Sequence, residues 1–140
     1  MLQAMNVGHA GSLTTVHANG PQDVLRRLEA LALRGDGALP REAVRDMIAS
    51  GIQLVVQVMR FRDGSRRVVS IGQLHAEEQG LRVEELYRYR ADPADGHAQI
   101  AGVHLPTTVP VAFLQLAAAQ GFSIPEVLRA RIPHRVVGDA

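Results

Sequence analysis

The sequence lacks lysine and cysteine, and each absence removes a class of function. All fifteen basic residues are arginine, so the chain cannot contain a G-x-x-x-x-G-K-[ST] phosphate loop, which needs a lysine to hold nucleotide phosphates. Without cysteine there is no disulfide framework and no thiolate metal site. No apolar run approaches the roughly 18 residues of a membrane span, and no signal-peptide pattern opens the sequence. We therefore expect a cytoplasmic chain that does not insert into a membrane.

Length and net charge further limit the kind of fold and the partners that we expect. With 140 residues, 46% of them hydrophobic and 21% charged, the chain should form one modest core with a tail. Its net charge is +1, and the arginines are spread along the sequence. Binding to nucleic acid or to a membrane surface needs a basic excess on one face. We therefore expect no nucleic-acid partner, and membrane association only through partner proteins.

The stretch 8–19, reading GHAGSLTTVHAN, is the most informative part of the sequence. Glycines and a serine form a turn, a run with β-branched residues follows, and a histidine stands at its end before an Asn-Gly-Pro break. This pattern predicts a strand over 13–18 that carries polar groups to its carboxyl end, where open α/β sheets bind ligands. The same histidines could instead be hydrogen-bonded members of a packed strand and turn.

Two amphipathic helices follow this strand in the prediction. Pro21 suits the first position of a helix over 21–33, and a second helix should run from near Pro40 to Gly51. In both, apolar residues recur at helical spacing and should pack into the core. Residues 1–6 have the spacing of the end of another helix.

The pattern then changes from helical to extended. Residues 52–59 form a near-continuous run rich in Val and Ile, which predicts a strand buried on both faces that joins the core sheet. Segments 68–74 and 81–89 complete a three-strand meander, and we expect this later pair to form the edge of the sheet or a small ribbon.

The last third of the sequence predicts a linker and a tail. We divide the chain into a main domain over 1–90, a linker over 91–99 that is rich in turn-forming residues, and a tail over 100–140. The tail should contain a short helix over 110–120 closed by Gly121. A capping box at 123–126 should begin a final short helix.

Residues 1–19, MLQAMNVGHAGSLTTVHAN, resemble the segment after the Walker B strand in ATPases of the type II/IV secretion superfamily, in particular the CpaF-type motors of Flp (tight adherence) pili. The likeness continues through 23–29, 39–50 and 62–67, and is weak in the tail. It implies an α/β fold, namely the carboxyl-terminal part of a RecA-like P-loop ATPase domain with a β-meander and a short helical tail. The Walker A loop and Walker B strand would lie upstream.

The resemblance also assigns roles to residues in the stretch 8–19. Gly8-His9 and the segment 15–18 match the family's His box, which implies that His17 first and His9 second act in catalysis. The residues expected to contact nucleotide are Gly8, Gly11, Ser12 and Thr15. A histidine at a strand end can donate to a γ-phosphate oxygen or orient a water molecule. The alternative is that the hydroxyl groups bond the local backbone and the histidines are structural.

Cofactors and partners follow from the same resemblance. The parent motor would use ATP and Mg²⁺, whereas this chain alone, lacking the phosphate loop, should bind no cofactor and hydrolyse no ATP. Family members form hexameric rings and work with inner-membrane secretion or pilus platform proteins. The main alternative is a non-catalytic assembly module or remnant of such an ATPase. Arg26, Arg41 and Arg45 could reach a neighbouring subunit's nucleotide, although a solvated face is the simpler interpretation.

Two enzyme classes lack support in the sequence. Gly11-Ser12 does not belong to a G-x-S-x-G nucleophile elbow, because Thr14 stands where the second glycine is needed. The six histidines form no H-E-x-x-H motif or comparable histidine and carboxylate spacing, so we expect no metal site.

Overall fold

The computed structural model describes residues 12–34, 39–92 and 101–131. In chain order its elements are α1 (Pro21–Leu33), α2 (Arg41–Gly51), β1 (Leu54–Arg60), β2 (Arg66–Glu77), β3 (Gly80–Ala91), β4 (Gly102–Pro106), α3 (Phe113–Ala119) and α4 (Glu126–Arg129). The strands form one sheet in the order β1-β2-β3-β4, and every neighbouring pair is antiparallel. The chain thus combines helices with an antiparallel sheet, as the coarse α/β prediction requires.

Helices α1 and α2 confirm the helical periodicity of the sequence. Pro21 stands at the start of α1, where its missing N–H costs no hydrogen bond. Leu25 and Leu28 of α1 pack with Val44 and Ile48 of α2 in a buried cluster, which we call the helix-side cluster. Leu74, Leu81 and Val83 from β2 and β3 pack against it. The two helices therefore cover one face of the sheet.

A side chain of α1 also ties this helix to the backbone of β3. The Gln22 amide donates from Nε2 to the Leu81 carbonyl oxygen at 2.7 Å and accepts at Oε1 from the Val83 N–H at 3.0 Å. Because β4 pairs with β3 only from Tyr87 to Ala91, the Leu81 and Val83 groups lie on a part of β3 that β4 does not reach. Gln22 occupies the place that a further strand would take.

The predicted meander is confirmed, but a fourth strand and a different edge were missed. β4 lies in the stretch predicted to be tail, and its five residues pair with β3 from Ala91 opposite Gly102 to Tyr87 opposite Pro106. So short a segment carries little periodic signal. β2 and β3 are the central strands and β1 is an edge, which reverses the expected arrangement.

The expectation that the strand at 52–59 is buried on both faces is wrong. In β1 only Val55 is buried, whereas Leu54, Val56, Val58 and Met59 are 38%, 54%, 58% and 46% exposed. The continuous apolar pattern predicted cover on both sides. In the described part of the chain β1 has a strand on one side only, which leaves most of its apolar side chains open.

The predicted strand at 13–18 is also wrong for this structure. Residues 12–18 have no regular secondary structure, and Leu13 is 99% exposed. A strand needs a neighbour for its backbone hydrogen bonds, and none of the four described strands pairs with this segment. High β propensity without a partner strand does not form a strand.

The tail packs on the sheet face opposite the two helices. Leu86 of β3 forms a second buried cluster with Val111 and Leu114, which we call the tail-side cluster. Helix α3 confirms the predicted helix, and Gly121 follows it with a φ of 82°, a left-handed conformation that glycine adopts readily. The predicted capping box is wrong: Pro125 precedes α4, and no side chain caps that helix.

Three predictions fall wholly or mostly outside the described residues. The helix end at 1–6 belongs to residues 1–11, and most of the predicted linker belongs to residues 93–100. The same is true of Gly8, His9 and Gly11 among the predicted site residues.

Candidate functional site

The segment that leads into α1 holds the described part of the predicted site. Hydrogen bonds hold the carboxyl-terminal end of this segment at two successive residues. Gln57 of β1 donates from Nε2 to the Asn19 carbonyl oxygen at 3.0 Å, and the Gly20 carbonyl accepts the Asp23 and Val24 N–H groups that begin α1. Val16 packs against the helix-side cluster. His17 therefore lies between fixed points, on a backbone joined to both the sheet and α1.

The predicted polar side chains in this segment face solvent. Ser12, Thr15 and His17 are all exposed, whereas Val16 and Ala18 are half-buried. An exposed imidazole on an anchored backbone can contact a ligand, because it can donate or accept a hydrogen bond without first leaving a packed position. The described residues alone do not bring Ser12, Thr15 and His17 into a closed pocket.

The three arginines considered for a nucleotide role make contacts within the chain. Glu29 of α1 has a side chain only 10% exposed, and its two carboxylate oxygens each accept from an arginine Nε of α2, Arg41 and Arg45, at 3.1 Å. Arg26 pairs with Asp23 at 3.0 Å in the first turns of α1. The ion pairs of Arg41 and Arg45 with Glu29 thus link α2 to α1. This supports a structural role for the two arginines.

A buried polar network joins the sheet to the tail, and sequence reasoning missed it. Gln73 of β2 is only 4% exposed. Its Nε2 donates to Glu84 Oε2 at 3.0 Å and to the Pro110 carbonyl at 2.9 Å, and its Oε1 accepts the Ala112 N–H at 3.0 Å. A polar residue in an extended run gives no sequence signal for such contacts, because they depend on where the tail returns.

Glu84 shows the electrostatic effect of this network. The hydrogen bond from Gln73, followed by the nearby His75 and Arg82, lowers the pKa of Glu84 against the opposing effect of burial. His75 Nε2 lies 2.9 Å from Glu84 Oε2. Glu84 lies on the sheet face against which the tail packs, and its contacts are those of a structural network.

The other end of the tail is fixed by Arg131. Its Nη2 donates to the Val109 carbonyl at 2.8 Å and to the Leu86 carbonyl at 3.2 Å, and its guanidinium lies 4.7 Å from the centre of the Tyr87 ring. The Arg131 carbonyl accepts the Val111 N–H at 2.7 Å. These contacts hold residues 107–131 against β3.

Two further features, a metal site and a membrane span, are not found among the described residues. Within the ranges that the structure describes, no three His, Asp or Glu side chains converge as a metal ion would require. None of the described helices is long and apolar enough to cross a membrane.

Comparison with known proteins identifies the family. The family described as type II/IV secretion system protein matches residues 1–120. A Mycobacterium tuberculosis protein named as a candidate conjugal transfer protein is 39% identical over 92 residues, which are 66% of this chain and 25% of that protein. Conjugal transfer protein TrbB of Rhizobium radiobacter is 33% identical over 66 residues, 47% of this chain and 19% of that protein.

The family match covers most of this chain, whereas the matches to the relatives cover only a small part of those proteins. The chain spans about a quarter or less of the length of the curated relatives it matches. The family match includes the stretch 8–19, both helices of the helix-side cluster, the whole sheet and α3. It confirms the superfamily that the resemblance of residues 1–19 indicated. The chain therefore belongs to the family of type II/IV secretion system proteins.

Proposed function

We propose that this chain is the carboxyl-terminal portion of a secretion ATPase of the CpaF type, in which His17 and His9 complete a nucleotide site formed mainly by the rest of the motor. The observation that carries the proposal is the family match over residues 1–120, which includes the His-box segment. Gly8, Gly11, Ser12 and Thr15 would lie beside the nucleotide in that motor, which would use ATP and Mg²⁺.

The surface of the chain supports a RecA-like sheet that is larger in the whole motor. Leu13 in the segment at 12–18 is 99% exposed, and in β1 the apolar side chains of Leu54, Val56, Val58 and Met59 are exposed. Contiguous exposed apolar side chains on an open edge strand are unusual in a finished domain. Neighbouring strands of the motor would pair with these two segments and place His17 at a strand end.

Binding energy explains why this chain alone should not act as an ATPase. The backbone N–H groups and the lysine of a phosphate loop, together with the bound Mg²⁺, provide most of the binding free energy for a nucleotide. One hydrogen bond from an exposed histidine contributes on the order of 1–3 kcal/mol, far below the roughly 8 kcal/mol of micromolar affinity. We expect no micromolar binding of MgATP by the isolated chain in a calorimetric titration.

The decisive experiment restores the motor. The chain is joined to the amino-terminal portion of a family member that carries the phosphate loop, and ATP turnover is measured. His17→Ala should lower kcat much more than nucleotide affinity, because a group that acts on the transferring phosphoryl stabilises the transition state more than the ground state. His104→Ala is the comparison: His104 is also exposed but lies on β4, where its Nε2 is 2.9 Å from the Val68 carbonyl oxygen, so any effect of this change is structural. Equal turnover of the His17→Ala and parent motors would refute the proposal.

The restored motor also tests the assembly alternative. In the proposed function it forms a hexameric ring on inner-membrane secretion or pilus platform proteins at the cytoplasmic face. A restored chain that joins such rings without supporting hydrolysis would instead be an assembly module. Sedimentation velocity together with the turnover assay separates these outcomes.

The isolated chain should be marginally stable and prone to associate. Its open β1 edge and exposed apolar side chains offer both strand pairing and hydrophobic contact to other molecules. Light scattering after size exclusion should show concentration-dependent association. A sharp, cooperative melt of a monodisperse monomer would count against a motor fragment.

A further inference from the structure

Gln57 is an uncharged polar side chain in the middle of the apolar strand β1. It is half-buried, whereas Val56 and Val58 on either side of it are 54% and 58% exposed. Successive side chains of a strand point to opposite faces, so Gln57 shares the more covered face with Val55, which is 8% exposed. An apolar side chain would fit this face without needing a hydrogen bond, whereas an amide needs partners there. Packing alone therefore does not account for a glutamine at this position.

The partner of the Gln57 amide is the segment that carries His17. Nε2 of Gln57 donates to the Asn19 carbonyl oxygen at 3.0 Å, across 38 residues of sequence. Asn19 comes two residues after His17 and directly before Gly20, whose carbonyl accepts the N–H groups that begin α1. A side chain of the sheet thus holds the backbone between His17 and the start of α1.

Within the described residues, His17 has a different kind of support on each side. Residues 12–18 have no regular secondary structure, so no ladder of backbone hydrogen bonds orders them. Val16, directly before His17, packs against the helix-side cluster, and apolar contact is non-directional. The hydrogen bond from Gln57 to Asn19 is directional. It therefore determines the course of the backbone on the carboxyl side of His17.

The sheet is irregular at the place where Gln57 stands. Gln57 pairs with Ser70, but the next residue, Val58, pairs with Val68, so β2 has one residue more than β1 at this point. Such a bulge increases the local twist of the strands and can change the direction of a side chain. The irregularity coincides with the residue that reaches from the sheet to Asn19.

We propose that Gln57 is a positioning residue for His17. This inference rests on the proposed function and names the contact that holds the nucleotide site in place. Gln57 fixes the backbone at Asn19, and this backbone sets the direction from which the His17 imidazole meets the nucleotide, while Gln57 itself touches no substrate. Misplacement of a reacting group by about 1 Å can lower the rate on the order of a hundredfold, so this support matters for turnover.

The test is a double-mutant cycle in the restored motor. Gln57→Ala should lower kcat about fivefold, the factor that corresponds to one neutral hydrogen bond, and should change KM for ATP by less than about twofold. In the His17→Ala motor the same change should alter kcat by less than about twofold, because no imidazole remains to be positioned. A purely structural defect would lower kcat in both motors.

Gln53→Ala is the matched control for the cycle. Gln53 is also a glutamine whose Nε2 donates to a backbone carbonyl, that of Ser50 at 3.1 Å. It stands directly before β1, and its bond leads to α2 rather than to the segment at 12–20. Gln53→Ala should leave kcat within about twofold of the parent value in both motors.

A second measurement follows the segment in the 140-residue chain without nucleotide. The chain has no cysteine, so Asn19→Cys gives a single attachment point for a nitroxide label and keeps the backbone carbonyl. Gln57→Ala should sharpen the electron paramagnetic resonance lines of this label, because the backbone loses its link to β1. Gln53→Ala should leave the spectrum unchanged. Circular dichroism of both variants checks that each retains the fold.

Three results overturn this inference while the proposed function stands. His17→Ala lowers kcat but Gln57→Ala does not, or Gln57→Ala lowers kcat equally with and without His17, or the label spectrum is the same in the Gln57→Ala and parent chains. If His17→Ala leaves turnover unchanged, the proposed function fails, and the positioning of His17 for catalysis fails with it.

Discussion

The two faces of the sheet are covered by different kinds of contact. On the helix side, Leu25, Val44 and Ile48 are almost wholly buried, and apolar packing dominates. On the tail side, a smaller cluster around Leu86 is supplemented by side chains that bond the tail backbone, chiefly Gln73 and Arg131. Apolar packing is tolerant of direction, whereas hydrogen bonds require their partners at set positions. The helix side should therefore determine global stability, and the tail side should determine local order.

The largest expected effect tests the helix side. Ile48→Ala should lower the free energy of unfolding by about 3 kcal/mol, because it leaves a cavity among fully buried side chains. Urea denaturation followed by circular dichroism measures the change. Leu114→Ala removes a comparable volume from the tail side and should expose residues 107–131 to hydrogen exchange before the helices. If Leu114→Ala lowers the global midpoint as much as Ile48→Ala, the two faces form one cooperative unit.

The next effect tests the polar connection of the tail. Gln73→Ala leaves the Ala112 N–H and the Pro110 carbonyl without their partner, at a cost of about 2 kcal/mol. Hydrogen exchange should accelerate in residues 107–131 and remain slow in α1 and α2. Gln79→Ala, in the exposed turn between β2 and β3, is the control and should change nothing. Uniform acceleration across both helices would contradict a local role for Gln73.

A smaller effect tests the ion pairs of Glu29 on the helix side. Glu29→Gln removes the charge that holds Arg41 and Arg45, and should cost about 1 kcal/mol because both arginines remain partly solvated. Thermal melts at low and high salt should show that the difference shrinks as salt screens the pair. Glu42→Gln, on the exposed side of α2, provides the comparison. A cost that does not respond to salt would indicate packing rather than charge.

The smallest effect is a pH dependence on the tail side. The pKa of Glu84 is lower in the folded chain than its ordinary value of 4.5, chiefly because Gln73 donates to it. Its contribution to stability is therefore complete above that pH and is lost as the pH falls through the folded pKa. Glu84→Gln should flatten this acid-side loss in denaturation curves, and Glu78→Gln should not. In the Gln73→Ala chain the Glu84 contribution should shrink, which a double-mutant cycle can measure.

The difference between the faces also explains what the sequence could predict. Periodic apolar residues located α1, α2 and their buried side chains, because helical packing leaves a repeating signal. The polar contacts of the tail side left no such signal: Gln73 looks like any polar strand residue, and its partners lie far along the chain. β4 was missed because its five residues depend on β3 for their structure.

The candidate site was likewise predicted only in part. The family resemblance of residues 1–19 identified the superfamily, and the family match over residues 1–120 agrees with it. The strand predicted at 13–18 failed because its pattern assumes a partner strand that the described residues do not supply. The assignment of His17 to catalysis stays a prediction until the restored motor is measured.

The contact of Gln22 with β3 has a consequence for which substitutions this position can accept over evolutionary time. Its amide serves as donor to the Leu81 carbonyl and acceptor from the Val83 N–H, so it imitates a peptide group. A glutamate here could still accept from the Val83 N–H, but its carboxylate would place a negative charge beside the Leu81 carbonyl oxygen. Asparagine has both groups, one methylene too short to reach them from the same backbone position. Drift at this position should therefore favour glutamine, although Gln22 lies on the surface.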